Sequence, residues 1–203
     1  MIVTKEDVKA IDFAPIQPLH TNTDLFWNDI HNVPGDQHYK LLGYLSTLFK
    51  GRDIFDIGTH RGASALALAH NPENTVYSFD VIHEYRMPQI KNVNYVLEDL
   101  WSPDILAKWE DRLLKSAFIF LDIDPHEGTR EYDFYQWLKW KKYQGFLVLD
   151  DIWHFQAMRD NLWYKIPIED KMDVTDMGHW SGTGIVQFTS STVRIRSAIL
   201  IGV

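Results

Sequence analysis

Five short apolar runs alternate with helical stretches along the middle of the chain. The runs are DIFDIG (53–58), TVYSFDV (75–81), VNYVLED (93–99), AFIFLDID (117–124) and GFLVLDD (145–151). Stretches near 62–70, 103–114, 129–142 and 153–163 have the composition of helices. Because near-continuous apolar strands separated by helices are buried on both faces, the pattern predicts an α/β fold. We expect a Rossmann-like, doubly wound, mostly parallel sheet in three α/β/α layers.

The pattern changes after the fifth run. KMDVTDMG (171–178) and GTGIVQF (182–188) are both strand-like, and a short HWS link joins them. This arrangement predicts an antiparallel C-terminal hairpin at the sheet edge. The tail TVRIRSAILIGV (192–203) predicts a further strand or a docked terminus.

The first part of the chain has a different character. Residues 1–36 are rich in Pro, Asn, Asp and His, which predicts an irregular N-terminal extension and a possible lid. DQHYKLLGYLSTLF (36–49) places apolar residues on one side of a helix. We therefore expect a single domain over residues 37–203.

Composition and charge narrow the class of ligand. The net charge of −8 argues against broad binding to nucleic-acid phosphates, so a small or neutral ligand is expected. The chain contains no cysteine, which excludes thiolate metal sites and fits a reducing, cytoplasmic location. No segment approaches the roughly 18 apolar residues of a membrane span, and the N-terminus does not resemble a secretory signal.

Every predicted parallel strand ends in at least one carboxylate. In open α/β sheets, ligands bind outside the carboxyl ends of the strands. A single Asp at such a position often only caps the next helix, but five successive strands with acidic ends indicate a site. In strand order these residues are Asp56, Asp80, Glu98 with Asp99, Asp122 with Asp124, and Asp150 with Asp151.

The first strand ends in a glycine turn that predicts a cofactor site. Gly58 and Gly62 permit a tight turn and close backbone approach, and a helix from Ala63 would direct its amide groups at the ligand. Asp80 ends the next strand, where a carboxylate can accept both hydroxyls of a ribose. Together these features indicate a cofactor that contains a nucleoside.

The turn has the spacing G-x-x-x-G, which differs from the G-x-G-x-x-G of pyrophosphate-binding dehydrogenases. Side chains at 59–61 would crowd a diphosphate. The acidic Asp56 would repel phosphate and attract a sulfonium. S-adenosylmethionine therefore fits better than NAD.

At this point the chain resembles the class I S-adenosylmethionine-dependent methyltransferases, over residues 39–188. IFDIGTHRGASALALA is similar to their first motif, and VYSFDV to the strand whose acid binds ribose. FIFLDIDPHEG, GFLVLDDIWH and GHWSGTGIVQF more specifically resemble O-methyltransferases that modify sugars and catechols. The fourth-strand motif D-I-D-P-H-E-G is one residue shorter than the commoner D-G-D-H-x-x-E-G.

The resemblance implies roles for individual residues. Asp56 and Gly58 would border the methionine portion, Asp80 the ribose, and Glu98 or Asp99 the adenine edge. The full set of expected cofactor-binding residues is Asp56, Gly58, Thr59, Gly62, Ser64, Asp80, Glu98, Asp99 and Asp122.

The acids at the ends of the fourth and fifth strands predict a metal site. Two carboxylates about 4 Å apart repel by roughly 4 kcal/mol at an effective dielectric of about 20, so a proton, a basic residue or a cation must compensate. Oxygen ligands favour Mg²⁺, Ca²⁺ or Mn²⁺, and metal-dependent relatives hold a cation at such positions. The expected ligands are Asp122, Asp150 and Asp151. In the alternative, one of the last two faces the cofactor or caps the next helix without a metal.

Three histidines and two tryptophans complete the expected site. His154 is the leading candidate for the general base and His126 the second, while Asp122 or Asp151 could instead take the proton. Trp153, His179 and Trp180 are expected to bind a hydroxylated small-molecule acceptor, with Phe26 and Trp27 folding over them.

The sequence also allows other functions. A nicotinamide-dependent oxidoreductase and a non-catalytic ligand-binding protein of the same fold are the alternatives from other classes. A nucleic-acid methyltransferase would require a basic face, which the sequence lacks. The extension and the apolar tail could serve a homodimer interface.

Overall fold

The computed structural model describes residues 2–14, 38–82 and 89–197. In chain order the strands are β1 (Ile2–Val3), β2 (Asp53–Ile57), β3 (Thr75–Asp80), β4 (Val93–Leu97), β5 (Phe118–Leu121), β6 (Phe146–Leu149), β7 (Lys171–Asp173), β8 (Gly184–Gln187) and β9 (Arg196–Ser197). The helices are α1 (Lys5–Lys9), α2 (His38–Thr47), α3 (Ala63–Leu68), α4 (Pro103–Lys115), α5 (Thr129–Trp140) and α6 (Gln156–Met158). α6 continues as a π-helical segment, Arg159–Trp163, and a 3₁₀ turn covers Ile168–Asp170.

A seven-stranded sheet forms the centre of the protein. Its spatial order is β4-β3-β2-β5-β6-β8-β7. β2 pairs in parallel with both β3 and β5, so the strand order reverses between β2 and β5. Such a reversal opens a crevice at the carboxyl ends of the strands. The predicted doubly wound sheet is confirmed.

Apolar residues cover both faces of the sheet, as the strand pattern predicts. Successive residues of one strand belong to different hydrophobic clusters, because side chains alternate across a strand. In β2, Ile54 packs with α2 and α3, whereas Phe55 joins the cluster that contains Leu138 of α5. The same alternation separates Phe118 from Ile119 in β5. The two cores lie on opposite faces of the sheet, between the strands and the helices, and this gives the three layers α/β/α.

The antiparallel edge pair is confirmed, with a longer connection than expected. β8 runs antiparallel to both β6 and β7, and β7 lies at the edge. β7 ends at Asp173, whose Oδ1 accepts hydrogen bonds from Thr175 N (2.9 Å) and Thr175 Oγ1 (2.6 Å). This local turn ends the strand early, so residues 174–183 form the connection.

Residues 2–14 differ from the irregular extension that the sequence predicts. β1 pairs in parallel with β9, and the Thr4 side chain caps α1 by accepting from Asp7 N. Val3, Val8 and Phe13 are buried against the core. The proposed lid residues Phe26 and Trp27, and the end of the tail (198–203), lie outside the described residues. In the described part of the chain, no helix has the length and apolarity needed to cross a membrane.

Candidate functional site

A cavity of about 510 Å³ opens at the carboxyl ends of β2 to β6. Its wall on the β2, β3 and β4 side includes the expected residues Gly58, Thr59, Ser64, Asp80, Glu98 and Asp99. Its wall on the β5 and β6 side includes Asp122, His126, Asp150, Asp151, His179 and Trp180. Most of the residues predicted for the two groups therefore face one continuous space.

The glycine turn after β2 packs directly on the neighbouring strand. Gly58 has a φ of 104°, and its N–H donates to Phe79 O (2.9 Å). Asp122 N donates to Ile57 O at 2.9 Å, which brings the end of β5 against the turn. Gly62 has a φ of 83° and precedes α3; its backbone position starts the helix and does not line the cavity.

Asp56 lies beneath this turn and is fully buried. Its Oδ2 accepts hydrogen bonds from Ser78 Oγ at 2.5 Å and Ser64 Oγ at 3.1 Å, while Oδ1 has no hydrogen-bond partner. Thr59 Oγ1 continues the network to Ser78 Oγ at 2.6 Å. Burial raises the pKa of Asp56 to about 7, and the two serine hydroxyls oppose that rise. Asp56 supports the cavity floor without lining it.

Asp80 stands at the cavity wall with its carboxylate oriented by the backbone. Oδ2 accepts from His60 N at 2.7 Å, and Oδ1 accepts from Ile82 N at 3.0 Å. A carboxylate has about four lone-pair sites, so two backbone donors leave acceptor capacity for a ligand. Its contact with a ribose stays a prediction.

The two acids after β4 are arranged differently from each other. Glu98 lines the cavity, but its carboxylate accepts from Lys108 Nζ (2.5 Å) and Trp109 Nε1 (2.6 Å) on α4. These hydrogen bonds lower the pKa of Glu98. Asp99 is exposed and accepts from Trp101 N (2.9 Å) in the following turn. Asp99 is therefore the freer of the two to meet a ligand.

Three histidines surround the acids at the ends of β5 and β6. His179 Nδ1 lies 3.2 Å from Asp150 Oδ2, and His38 Nε2 lies 3.9 Å from the same oxygen. His126 Nε2 lies 3.4 Å from Asp151 Oδ2. Sequence reasoning missed His38, because it begins α2 more than 100 residues before Asp150 and carries no motif.

Burial and mutual repulsion set the proton affinities of the three acids. Burial, followed by the charges of Asp150 and Asp151, raises the pKa of Asp122 well above its usual value. The pKa of Asp151 is raised by burial and by Asp150. Burial would also raise the pKa of Asp150, but the neighbouring His38 and the hydrogen bond with His179 hold it below its ordinary value. Asp150 is thus the acid of the three that gives up its proton most readily.

The expected base His154 and the expected acceptor-binding residue Trp153 both lie apart from the cavity. His154 is exposed, and its ring centroid lies 4.8 Å from that of Trp180. Trp153 Nε1 donates to Asp173 Oδ2 at 2.7 Å, so this side chain joins β7 to the loop after β6. Trp180 lines the cavity with 52% of its surface exposed. The structure therefore brings His179 and Trp180 to the site and leaves Trp153 and His154 outside its wall.

The acid and histidine side chains form two possible metal-binding groups in the described residues. One contains Asp122, His126 and Asp151, and the other contains Asp150, Asp151 and His179. Within each group the ligand atoms all lie within 4.8 Å of one another. The three aspartates expected from the sequence are divided between the groups, which share Asp151.

No model of a protein family matches this sequence, and no curated protein matches it either. Its fold matches solved structures. A protein of Klebsiella pneumoniae provisionally named an O-methyltransferase is 13% identical, with a TM-score of 0.52, over 88% of this chain and 91% of that one. A protein of Staphylococcus aureus provisionally named a caffeoyl-CoA O-methyltransferase is 15% identical, with a TM-score of 0.51, over 72% and 80%. At such identities the likeness shows a shared Rossmann-like fold and does not by itself show the function.

Proposed function

We propose that this protein is an S-adenosylmethionine-dependent methyltransferase that transfers a methyl group to a hydroxyl of a small molecule, assisted by a divalent cation. One observation carries the proposal. A single cavity has Asp80 in its wall on one side, where a ribose could bind, and acids and histidines at the ends of β5 and β6 on the other side. Methyl transfer requires such a space, because donor and acceptor must meet in line.

The wall at β2, β3 and β4 supplies the contacts that a nucleoside cofactor needs. Asp80 presents a carboxylate whose orientation is set by His60 N and Ile82 N. Thr59 and Ser64 line the cavity above the buried Asp56. When bound, S-adenosylmethionine would supply the methyl group on a positively charged sulfur. The carboxylates of the cavity wall would attract such a sulfonium and repel phosphate.

A divalent cation fits the other wall. Asp122 and Asp151 both have raised pKa values, since they lie in partly buried positions beside other acids. Positive charge would relieve this repulsion. The two carboxylates would hold the ion, which would lower the pKa of an acceptor hydroxyl and fix its orientation.

His179 is the proposed proton acceptor. Its Nδ1 faces Asp150 Oδ2 (3.2 Å) and Ser181 Oγ (2.6 Å). With Nδ1 engaged, the lone pair of Nε2 stays available for the proton of the acceptor hydroxyl. His179 lines the cavity, whereas the base favoured by sequence reasoning, His154, does not.

Calorimetric titration with S-adenosylhomocysteine tests the proposal. We expect micromolar binding to the wild type and at least 30-fold weaker binding to Asp80→Ala, since an aligned charged acceptor contributes about 2 kcal/mol or more. Asp111→Ala changes an exposed aspartate on α4 and serves as the matched control.

Three results would contradict the proposal. They are absence of binding to the wild type, equal binding to the Asp80 and Asp111 variants, and tighter binding of NAD in a parallel titration of the wild type. The third result would instead support a nicotinamide-dependent enzyme on the same sheet.

A further inference from the structure

We infer that the cation of the proposed function is a first-row transition metal held by Asp122, Asp151 and the imidazole of His126, and not Mg²⁺ held by carboxylates alone. The inference rests on the proposed function for the presence of a cation. It goes further in naming the nitrogen ligand, the class of metal and the aspartate that is not a ligand.

The first support is the position of the His126 ring. His126 Nε2 lies 3.4 Å from Asp151 Oδ2, and the ligand atoms of His126, Asp151 and Asp122 are all within 4.8 Å of one another. Two ligands at about 2.1 Å from a tetrahedral metal are roughly 3.4 Å apart. The nitrogen and the carboxylate oxygen therefore already have the separation of two ligands of one ion.

Phe155 holds the His126 ring in place, and an exposed aspartate is the second partner of its Nε2. The ring stacks on Phe155, with centroids 4.5 Å apart and planes inclined by 23°. Its other ion-pair partner is Asp124 Oδ1 at 3.2 Å, on a side chain that is 92% exposed. An exposed carboxylate is readily solvated by water, so His126 can exchange this contact for a metal at little cost.

The second support comes from Asp150. Its Oδ2 is engaged by His179 at 3.2 Å and approached by His38 at 3.9 Å, which makes it a poor ligand. Its Oδ1 is buried without a hydrogen-bond partner, and the side chain is only 5% exposed. A buried carboxylate oxygen without a partner is costly, and a cation bound beside it would reduce that cost. This unpartnered oxygen favours positive charge at the acid cluster as a whole and does not by itself distinguish between the two metal-binding groups.

The donor set decides which metals would bind. Mg²⁺ prefers oxygen ligands and retains its waters, whereas imidazole suits Zn²⁺, Co²⁺ and related ions. Along the first row, affinity for a mixed nitrogen and oxygen site rises from Mn²⁺ to Co²⁺ and Ni²⁺. We expect Co²⁺ to bind at least 100-fold more tightly than Mg²⁺, with Mn²⁺ between them.

Spin-echo modulation spectroscopy of the Mn²⁺-loaded full chain tests the nitrogen ligand directly. The wild type should show modulation from a directly bound ¹⁴N, which ¹⁵N-histidine labelling should replace. His126→Gln should lose this modulation. His179→Gln is the matched control, because it removes the imidazole of the other metal-binding group, and it should keep the signal.

Each contrary result has a defined meaning. Absence of nitrogen modulation in the labelled wild type, its loss in His179→Gln but not in His126→Gln, or tighter binding of Mg²⁺ than of Co²⁺ by calorimetry would overturn the inference. The labelling experiment uses only the wild type, so it can contradict the inference even if His126→Gln does not fold. Titration with S-adenosylhomocysteine on the same samples separates the two proposals. Cofactor binding without a nitrogen-bound metal would contradict the metal inference and leave the proposed function standing.

Discussion

The backbone of Gly58 lies so close to that of Asp122 that no side chain fits between them. A Cβ atom on Gly58 would lie 1.5 Å from the carbonyl oxygen of Asp122 and 2.6 Å from its carbonyl carbon. The obstacle is backbone, which cannot rotate away as a side chain can. This contact joins the side of the cavity wall at β2, β3 and β4 to the side at β5 and β6, because Gly58 follows β2 and Asp122 follows β5.

Gly58→Ala should therefore be strongly destabilising. We expect a loss of about 3 kcal/mol or more in the free energy of unfolding, because β2 and β5 must separate. Gly51→Ala is the control: Gly51 also has a positive φ (64°) but no atom within 4 Å of its added Cβ. It should lose only about 1 kcal/mol from the left-handed backbone. Denaturant unfolding measures both, and losses of equal size would refute the steric argument.

The raised pKa of Asp56 predicts a pH-dependent stability. Its folded pKa is about 7, against about 3.9 for an unfolded Asp. Between these values the unfolded chain releases a proton that the folded protein keeps, so stability falls as pH rises from about 4 to about 7. Below about 4 both states are protonated, and above about 7 both are ionised, so the change is confined to this window.

The measurement compares chemical unfolding of wild type and Asp56→Asn across pH 4 to 8. The wild type should lose roughly 4 kcal/mol relative to the variant over the window. Ser78→Ala removes a hydrogen bond that opposes the rise, so it should move the end of the fall to higher pH. A constant difference between wild type and Asp56→Asn would show that Asp56 stays ionised.

The buried hydroxyl of Tyr143 offers a separate test of the core. Tyr143 is 1% exposed, and its Oη lies 2.8 Å from Ser116 Oγ. Tyr143→Phe should lower the free energy of unfolding by about 1 kcal/mol, with a coupling of similar size to Ser116→Ala in a double-mutant cycle. Tyr164→Phe, at a side chain that is 60% exposed, should change stability by less than about 0.5 kcal/mol. A coupling near zero would mean that this hydrogen bond contributes nothing.

Substitutions of His179 and His154 test which of the two histidines is the general base: His154 is predicted from the sequence, and His179 is proposed from the structure. His179→Gln should lower kcat about 10²-fold to 10⁴-fold with little change in the KM for S-adenosylmethionine, because it removes the proposed proton acceptor. His154→Gln should leave kcat within about threefold, since His154 is exposed outside the cavity wall. Turnover would be measured with an acceptor found by screening sugars and phenols. A larger loss in His154→Gln would restore the assignment made from sequence.

The sequence by itself determined the architecture and the end of the sheet that carries the site. Strands such as 117–124 are apolar throughout and end in acids, and this local pattern is enough to predict a parallel sheet with ligands at its carboxyl edge. Asp80 and Asp122 line the cavity as that pattern requires. These strands can be recognised in the sequence because both faces of each central strand are buried, so that nearly all of their side chains are apolar.

Only the tertiary structure decided which partner each polar side chain meets. Glu98 is engaged by Lys108 and Trp109 on α4, and His38 reaches Asp150 from a helix distant in sequence. The chain turns sharply at Asp151, which has a φ of 58°, so His154 lies outside the cavity although it follows the same strand. The direction of a loop and the contacts between distant elements depend on backbone angles and packing, and no short stretch of sequence contains that information.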